Sequence, residues 1–150
     1  FCAYKLRYNI EGEYFNFLFI TVICVLTDIG GYVFGKIFKG PTLTKYSPNK
    51  TYSGVFGSYV FSIMLVPILI KFGIVSEKNL LILVIFIFSV SSVSQLGDIC
   101  ISYFKRMSKI KDTGKIIPGH GGLLDRIDGM IFAFPVSYFL IFFNYIEIVK

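Results

Sequence analysis

Between Ser102 and Asp128 the chain reads SYFKRMSKIKDTGKIIPGHGGLLDRID, the densest cluster of reactive side chains in an otherwise apolar sequence. Lys105, Arg106, Lys109, Lys111, Lys115 and Arg126 stand beside Asp112, Asp125, Asp128 and the only histidine, His120. Asp125 and Asp128 are three residues apart, so one helical turn sets both on one face. Converging carboxylates suit a hard divalent ion such as Mg2+, which prefers oxygen ligands and keeps waters for phosphate oxygens. Asp98, entering from another helix, completes such a set. Lysines and arginines around it would neutralise a polyphosphate, with arginine supplying bidentate contacts. Gly119, Gly121 and Gly122 let backbone amides approach a phosphate closely. Metal, cations and glycine amides together are the parts of phosphoryl or nucleotidyl transfer. His120 is open between a base, a phosphate donor and a helix-entry residue. For a single lysine such as Lys109 or Lys115, a solvated basic loop against lipid phosphates is the better reading. For the ordered run His120–Asp128 it is not.

The elements that must position these groups are set by composition. The 150 residues are 55% hydrophobic and 18% aromatic, with mean hydropathy +0.71. A single small domain cannot hide that much apolar surface in its own core, so lipid is the solvent. The net charge of +6 arises from lysines that flank hydrophobic runs rather than line one surface. That pattern argues against nucleic acid and for the cytoplasmic face of a membrane and its anionic lipids. Cys2, Cys24 and Cys100 show no CxxC spacing and read as free thiols, the last two packed as small hydrophobes. The chain opens at Phe1 without a signal-peptide pattern and reads as part of a longer protein.

The fold expected is all-α: a polytopic helical transmembrane bundle, one catalytic domain over residues 1–150. About four spans, roughly 14–38, 55–75, 80–103 and 130–149, each approach the ~20 residues needed to cross a bilayer core. These runs lack the alternation of barrel strands, so helices follow, with kinks at Pro67 and Pro135. Residues 39–54 and 104–129 then form two basic loops on one side. The intervening loop carries only Lys71 and Lys78 beside Glu77. Positive charge marks the cytoplasmic side, leaving both termini opposite.

Two carboxylates lie inside the spans. A charge near mid-bilayer costs ~2.5–3.5 kcal/mol on insertion scales, so it faces a cavity, a partner or an ion. Asp28 either lines a cavity or sits near the interface beside Lys36. Ser91, Gln95, Asp98, Ser102 and Lys105 recur at three- and four-residue spacing and form one helical face. For Asp98 that face is the wall of a wet cavity; the serines alone read as a structural polar seam.

The run S-Y-F-K-R, four residues, K-D-T-G, then I-P-G-H-G-G-L-L-D-R-I-D resembles the signature of phosphatidate cytidylyltransferases, also called CDP-diacylglycerol synthases. Gly97–Asp98 resembles the start of that region. Asp28-x-x-x-Tyr32-x-x-Gly35-Lys36, followed by Ser47-Pro-Asn-Lys-Thr-Tyr-Ser-Gly54, resembles the family's second cytoplasmic motif, with Ser53 where an acidic residue is expected. The resemblance covers roughly Asp28 to Gly129 and looks like the C-terminal portion of the enzyme, further spans lying upstream. It implies a reaction of CTP with phosphatidate to give CDP-diacylglycerol and pyrophosphate. It also implies Asp98, Asp125 and Asp128 as Mg2+ ligands, with room for a second metal ion. Lys105, Arg106, Lys111 and Arg126 would hold the triphosphate and lipid phosphate. Ser47, Lys50 and Thr51 would contact nucleotide, His120, Gly121 and Gly122 a phosphate, and Ser102 belongs to the same substrate-binding run. Asp112 would orient its basic neighbours. A homodimer is a candidate assembly for so small a bundle.

Two other readings use the same residues. A CTP-dependent lipid kinase of the same broad superfamily would move the γ-phosphate to an alcohol. A transporter or lipid-binding membrane protein would use Asp28 and Asp98 as ion or proton sites.

Overall fold

The computed structural model describes residues 1–7, 15–44, 47, 50–73, 80–110 and 124–142, with 124–126 described by their backbone alone. The described residues form helices α1 (Cys2–Arg7), α2 (Phe15–Phe38), α3 (Tyr52–Ile63), α4 (Leu65–Lys71), α5 (Leu80–Met107) and α6 (Leu124–Phe142), with one isolated antiparallel bridge between Thr42 and Thr51. The expectation of an all-α membrane bundle holds. Phe15–Phe38, Tyr52–Lys71 and Leu80–Met107 are long and apolar enough to cross a bilayer, and Ile127–Phe142 is a shorter apolar helix.

Boundaries differ from the sequence expectation where hydropathy and helicity part company. The second span starts at Tyr52, because Thr51 caps α3 by accepting the Gly54 N–H at 3.1 Å. It breaks at Met64, three residues before Pro67, whose ring cannot donate to the Ile63 carbonyl. The third helix runs on to Met107, so Lys105 and Arg106 occupy its last turn rather than a loop. Helix α6 starts at Leu124, which places Asp125, Arg126 and Asp128 in its first turns, and continues through Pro135.

Helix α2 packs along α3, α5 packs along α6, and both α2 and α3 touch α5; short α1 lies against α6 and α2. The α2–α3 pair is close because small residues meet at the crossing. A Cβ at Gly30 would stand 2.5 Å from the Gly57 carbonyl oxygen. The apolar core gathers Ile20, Ile23 and Cys24 of α2 with Phe86, Ile87 and Val90 of α5, and Phe19 stacks on Phe86 at 6.1 Å. Outward-facing Leu18, Phe56, Ile85, Leu96 and Phe139 are all more than half exposed, as a lipid-facing surface requires. Cys100 belongs to that exposed surface, not to the interior, while Cys24 is buried.

Candidate active site

A cavity of about 320 Å3 opens between α2, α3, α5, the start of α6 and the loop after α2. Thr27, Asp28 and Tyr32 line it from α2, Lys50 and Thr51 from the loop, and Ser58 from α3. Gln95 and Asp98 come from α5 and Asp128 from α6. Asp28 therefore faces the cavity, deciding between its two expected settings, and is itself exposed there.

The loop bearing Lys50 is fastened at several points. The Leu43 N–H donates to the Lys50 carbonyl at 2.7 Å, and the Tyr52 N–H donates to the Pro41 carbonyl at 3.2 Å. The Lys50 N–H closes a turn onto the Ser47 carbonyl at 3.1 Å, and the Ser47 N–H donates to Thr44 Oγ1 at 3.2 Å. Thr51, besides capping α3, exchanges a hydroxyl hydrogen bond with Ser53 at 3.0 Å. Ser53, in place of an acidic residue, thus braces the helix cap. These bonds aim Lys50 at α5, where its Nζ lies 2.5 Å from Asp98 Oδ2, each side chain 26% exposed.

Asp98 and Asp128 reach each other because α5 and α6 cross through glycine. A Cβ at Gly97 would meet Phe132 Cδ2 at 2.8 Å, and one at Gly129 would meet Ser94 Oγ at 2.6 Å. Each carboxylate is thus the sequence neighbour of a glycine at the crossing, and the two carboxyl groups come within hydrogen-bonding reach. The Gly129 N–H donates to Asp128 Oδ1 at 3.0 Å, and Lys105 Nζ approaches Asp128 Oδ2 at 3.6 Å. Like charges this close are held together by cations among them, here one lysine from the loop and one from the end of α5.

Asp98 and Asp128 offer oxygen donors from two helices, in a cavity that Asp28 also lines. That chemistry fits a hard divalent cation with waters completing its shell. Among the described residues there is no group of three or more His, Cys, Asp or Glu arranged for a metal. Asp125, the third expected ligand, has its side chain outside the described part, as does Arg126. Lys111, His120, Gly121 and Gly122 lie outside the described residues altogether.

Of the remaining expected residues, Lys50, Thr51, Asp98 and Asp128 meet at the cavity, with Lys105 joined through Asp128. Ser47 contributes a turn carbonyl beneath Lys50 rather than a cavity wall. Ser102 is half-buried on α5 and Arg106 is exposed on the last turn; neither lines the cavity. Tyr32, part of the Asp28-x-x-x-Tyr32 motif, lines it as well, whereas sequence reasoning passed over Thr27 and Ser58, which line it from apolar helices. Their one signal is adjacency or helical spacing to Asp28 and to the small residues of the α2–α3 crossing.

Beneath the cavity lies the polar seam expected for the serines. Thr27 Oγ1 lies 2.9 Å from Ser91 Oγ and 3.3 Å from Ser62 Oγ, and Ser62 and Ser91 are 3.2 Å apart. Ser58 Oγ donates to the Thr27 carbonyl at 2.7 Å, and Ser62 Oγ donates to the Ser58 carbonyl. This knot joins α2, α3 and α5 under the charged groups. Gln95 Nε2 reaches Ser91 Oγ at 3.4 Å, linking the knot to the cavity wall.

The chain is similar to several proteins that share one name. It is 41% identical over 125 residues to the phosphatidate cytidylyltransferase of Staphylococcus epidermidis, covering 83% of this chain and 48% of that protein. The enzyme of the same name from Haemophilus influenzae is 38% identical over 133 residues, covering 85% of this chain and 46% of that one. That of Staphylococcus aureus is 39% identical over 132 residues, covering 87% and 50%. The chain thus spans about half the length of the curated relatives it matches. The sequence model of the cytidylyltransferase family matches residues 1–144, and with these carboxylates, lysines and glycines in hand the conclusion is direct: this chain belongs to the cytidylyltransferase family.

Proposed function

We propose that the protein is a membrane nucleotidyltransferase that condenses CTP with phosphatidate to give CDP-diacylglycerol and pyrophosphate. The observation that carries this reading is the meeting of Asp98 and Asp128 from two apolar helices with Lys50 and Lys105, at a cavity inside a membrane bundle. The names of the relatives support the same activity.

A phosphatidate oxygen attacks the α-phosphorus of CTP; the bond from that phosphorus to the β-phosphate oxygen breaks, and pyrophosphate leaves with the electron pair. The attacking phosphate is already anionic at neutral pH, so positioning and charge neutralisation outweigh general-base catalysis. Asp98 and Asp128 would hold a Mg2+ ion, with Asp125 from the same turn of α6 as the further ligand. Such an ion supplies Lewis-acid neutralisation of phosphate charge and, in some transferases, is accompanied by a second. Lys50, fastened by its loop, trades its contact with Asp98 for the nucleotide's phosphates. Lys105 neutralises the lipid phosphate while remaining near Asp128. Arg106, Lys111, Arg126, His120, Gly121 and Gly122 add phosphate contacts from the basic segment, and Ser47, Thr51 and Ser102 flank the nucleotide and lipid paths.

Lys39, Lys45 and Lys50 follow the first span, with Lys36 in its last turn, and six basic residues precede the fourth. This bias supports an active site on the cytoplasmic face of a bacterial inner membrane, where CTP is available. The test is isotopic. Membranes holding the full-length protein are given CTP labelled at the α-phosphate or the γ-phosphate, together with phosphatidate. The α-label enters the lipid fraction and the γ-label leaves as pyrophosphate. A γ-label in lipid identifies a lipid kinase instead, and no transfer of either label removes the enzymatic reading.

A further inference from the structure

Gln95 is a cavity-lining side chain to which the reaction assigns no task. It precedes Asp98 by three residues on the same helical face, which places it ~4.5 Å further along the axis of α5, away from Lys105 and Arg106 and toward the middle of the span. Its Nε2 is anchored 3.4 Å from Ser91 Oγ, and Ser91 is fully buried between Thr27 and Ser62. A carboxamide has two N–H donors and a carbonyl with two lone pairs, so the bond to Ser91 uses only part of its capacity. The cavity-lining hydroxyls of Thr27 and Ser58 are committed. Thr27 donates to the Ile23 carbonyl at 2.8 Å or to Ser91, and Ser58 donates to the Thr27 carbonyl. Gln95 therefore offers hydrogen bonds one helical turn deeper in the membrane than the carboxylate pair.

That depth matters for a lipid whose phosphate lies at Asp98 and Asp128. Its glycerol esters follow a few bonds beyond the phosphate, toward the acyl chains, and their carbonyls are acceptors needing a partner away from water. We propose that Gln95 donates a hydrogen bond to an acyl-ester carbonyl of the lipid substrate and makes the site selective for diacyl over dialkyl-ether lipids. The inference rests on the proposed phosphatidate reaction and adds to it the linkage the enzyme reads. A site built around such a donor discriminates against an analogue lacking the acceptor, because the donor is then left unpaired.

The experiment compares KM for a diacyl phosphatidate and for its dialkyl-ether analogue, using full-length protein in mixed micelles with saturating CTP. The wild-type protein is expected to show a KM about tenfold higher for the ether lipid, with kcat little changed. Gln95→Leu raises the KM for the diester by a similar factor and brings the ratio of the two KM values to about one, while the KM for CTP holds. Equal KM values in the wild type overturn the inference with no variant needed, so a folding defect in Gln95→Leu cannot protect it. A ratio that survives in Gln95→Leu overturns it as well. Absence of cytidylyl transfer to either lipid removes the proposed activity and this inference together, whereas transfer without discrimination removes the inference alone.

Discussion

The Nζ of Lys50 lies 2.5 Å from Oδ2 of Asp98, joining a loop between two helices to the carboxylate of another. The contact gives Asp98 a counter-charge inside the bundle, and it aims a cation at the place where phosphates must arrive. Both side chains keep a quarter of their surface exposed, so the pair can open.

Replacing Lys50 with Met should therefore act on nucleotide binding first. The KM for CTP rises by between about tenfold and a hundredfold, the range for a hydrogen bond to a charged group. The KM for the lipid changes less. Steady-state kinetics with each substrate varied in turn check this. Equal effects on both KM values would show that Lys50 serves the site as a whole and does not hold the nucleotide.

Lys105 and Lys109 make a contrasting pair within one basic stretch. Lys105 faces Asp128 from the last turn of α5, whereas Lys109 lies beyond the helix with φ 57° and is exposed. Lys105→Met lowers kcat/KM by about tenfold or more, and Lys109→Met leaves it within about twofold, as expected of a solvated surface charge. Identical losses in both would mean that bulk positive charge, not the Asp128 contact, is what counts.

The crossing of α5 and α6 predicts a joint loss of stability and activity. Gly97→Leu forces a side chain into Phe132, and overpacking of this kind costs ~1–3 kcal/mol. It also separates Asp98 from Asp128. Thermal unfolding in detergent shows a lower midpoint, and cytidylyl transfer falls further than the unfolded fraction explains. A variant with normal transfer would mean that the two carboxylates do not need this close approach.

The buried knot of Thr27, Ser62 and Ser91 should show coupling. Thr27→Val and Ser91→Ala each remove one partner of a 2.9 Å contact, and the double variant costs less than the sum of the two. The coupling is ~0.6–1.7 kcal/mol, the measured range between membrane helices. Equilibrium unfolding of the four proteins in mixed micelles measures it, and simple additivity would refute the knot.

The bundle was legible in the sequence because apolar runs of spanning length have few other solutions. Asp98 was legible as a cavity residue because a carboxylate in such a run needs a partner, while Asp28 stayed open between cavity and interface until the packing set it on the cavity wall. The helix ends were less so. Lys105 and Arg106 look like loop residues by hydropathy, yet helix geometry carries α5 to Met107, and this is what places Lys105 over Asp128. The contacts that assemble the site were the least legible. Nothing local says that Gly97 meets Phe132, that Gly129 meets Ser94, or that the Pro41–Leu43 strand of loop pins Lys50. These are relations between distant segments, written only in the packing. Thr27 illustrates the same limit: it is a polar residue in an apolar helix, and only the neighbouring helices show that it is tied into the knot, whereas Gln95 already shared the helical face of Asp98 in the sequence.

The central claim is that Asp98 and Asp128 together hold the cation at which CTP meets the lipid phosphate. Its most direct test is the Mg2+ dependence of cytidylyl transfer in the wild type, Asp98→Asn and Asp128→Asn, with folding verified by thermal unfolding. The account predicts strict Mg2+ dependence in the wild type and a loss of about 10²–10³-fold or more in each variant, the scale of removing one electrostatic anchor from a transition state. Transfer without added Mg2+ in the wild type, or near-normal rates at unchanged Mg2+ half-saturation in either variant, would contradict it.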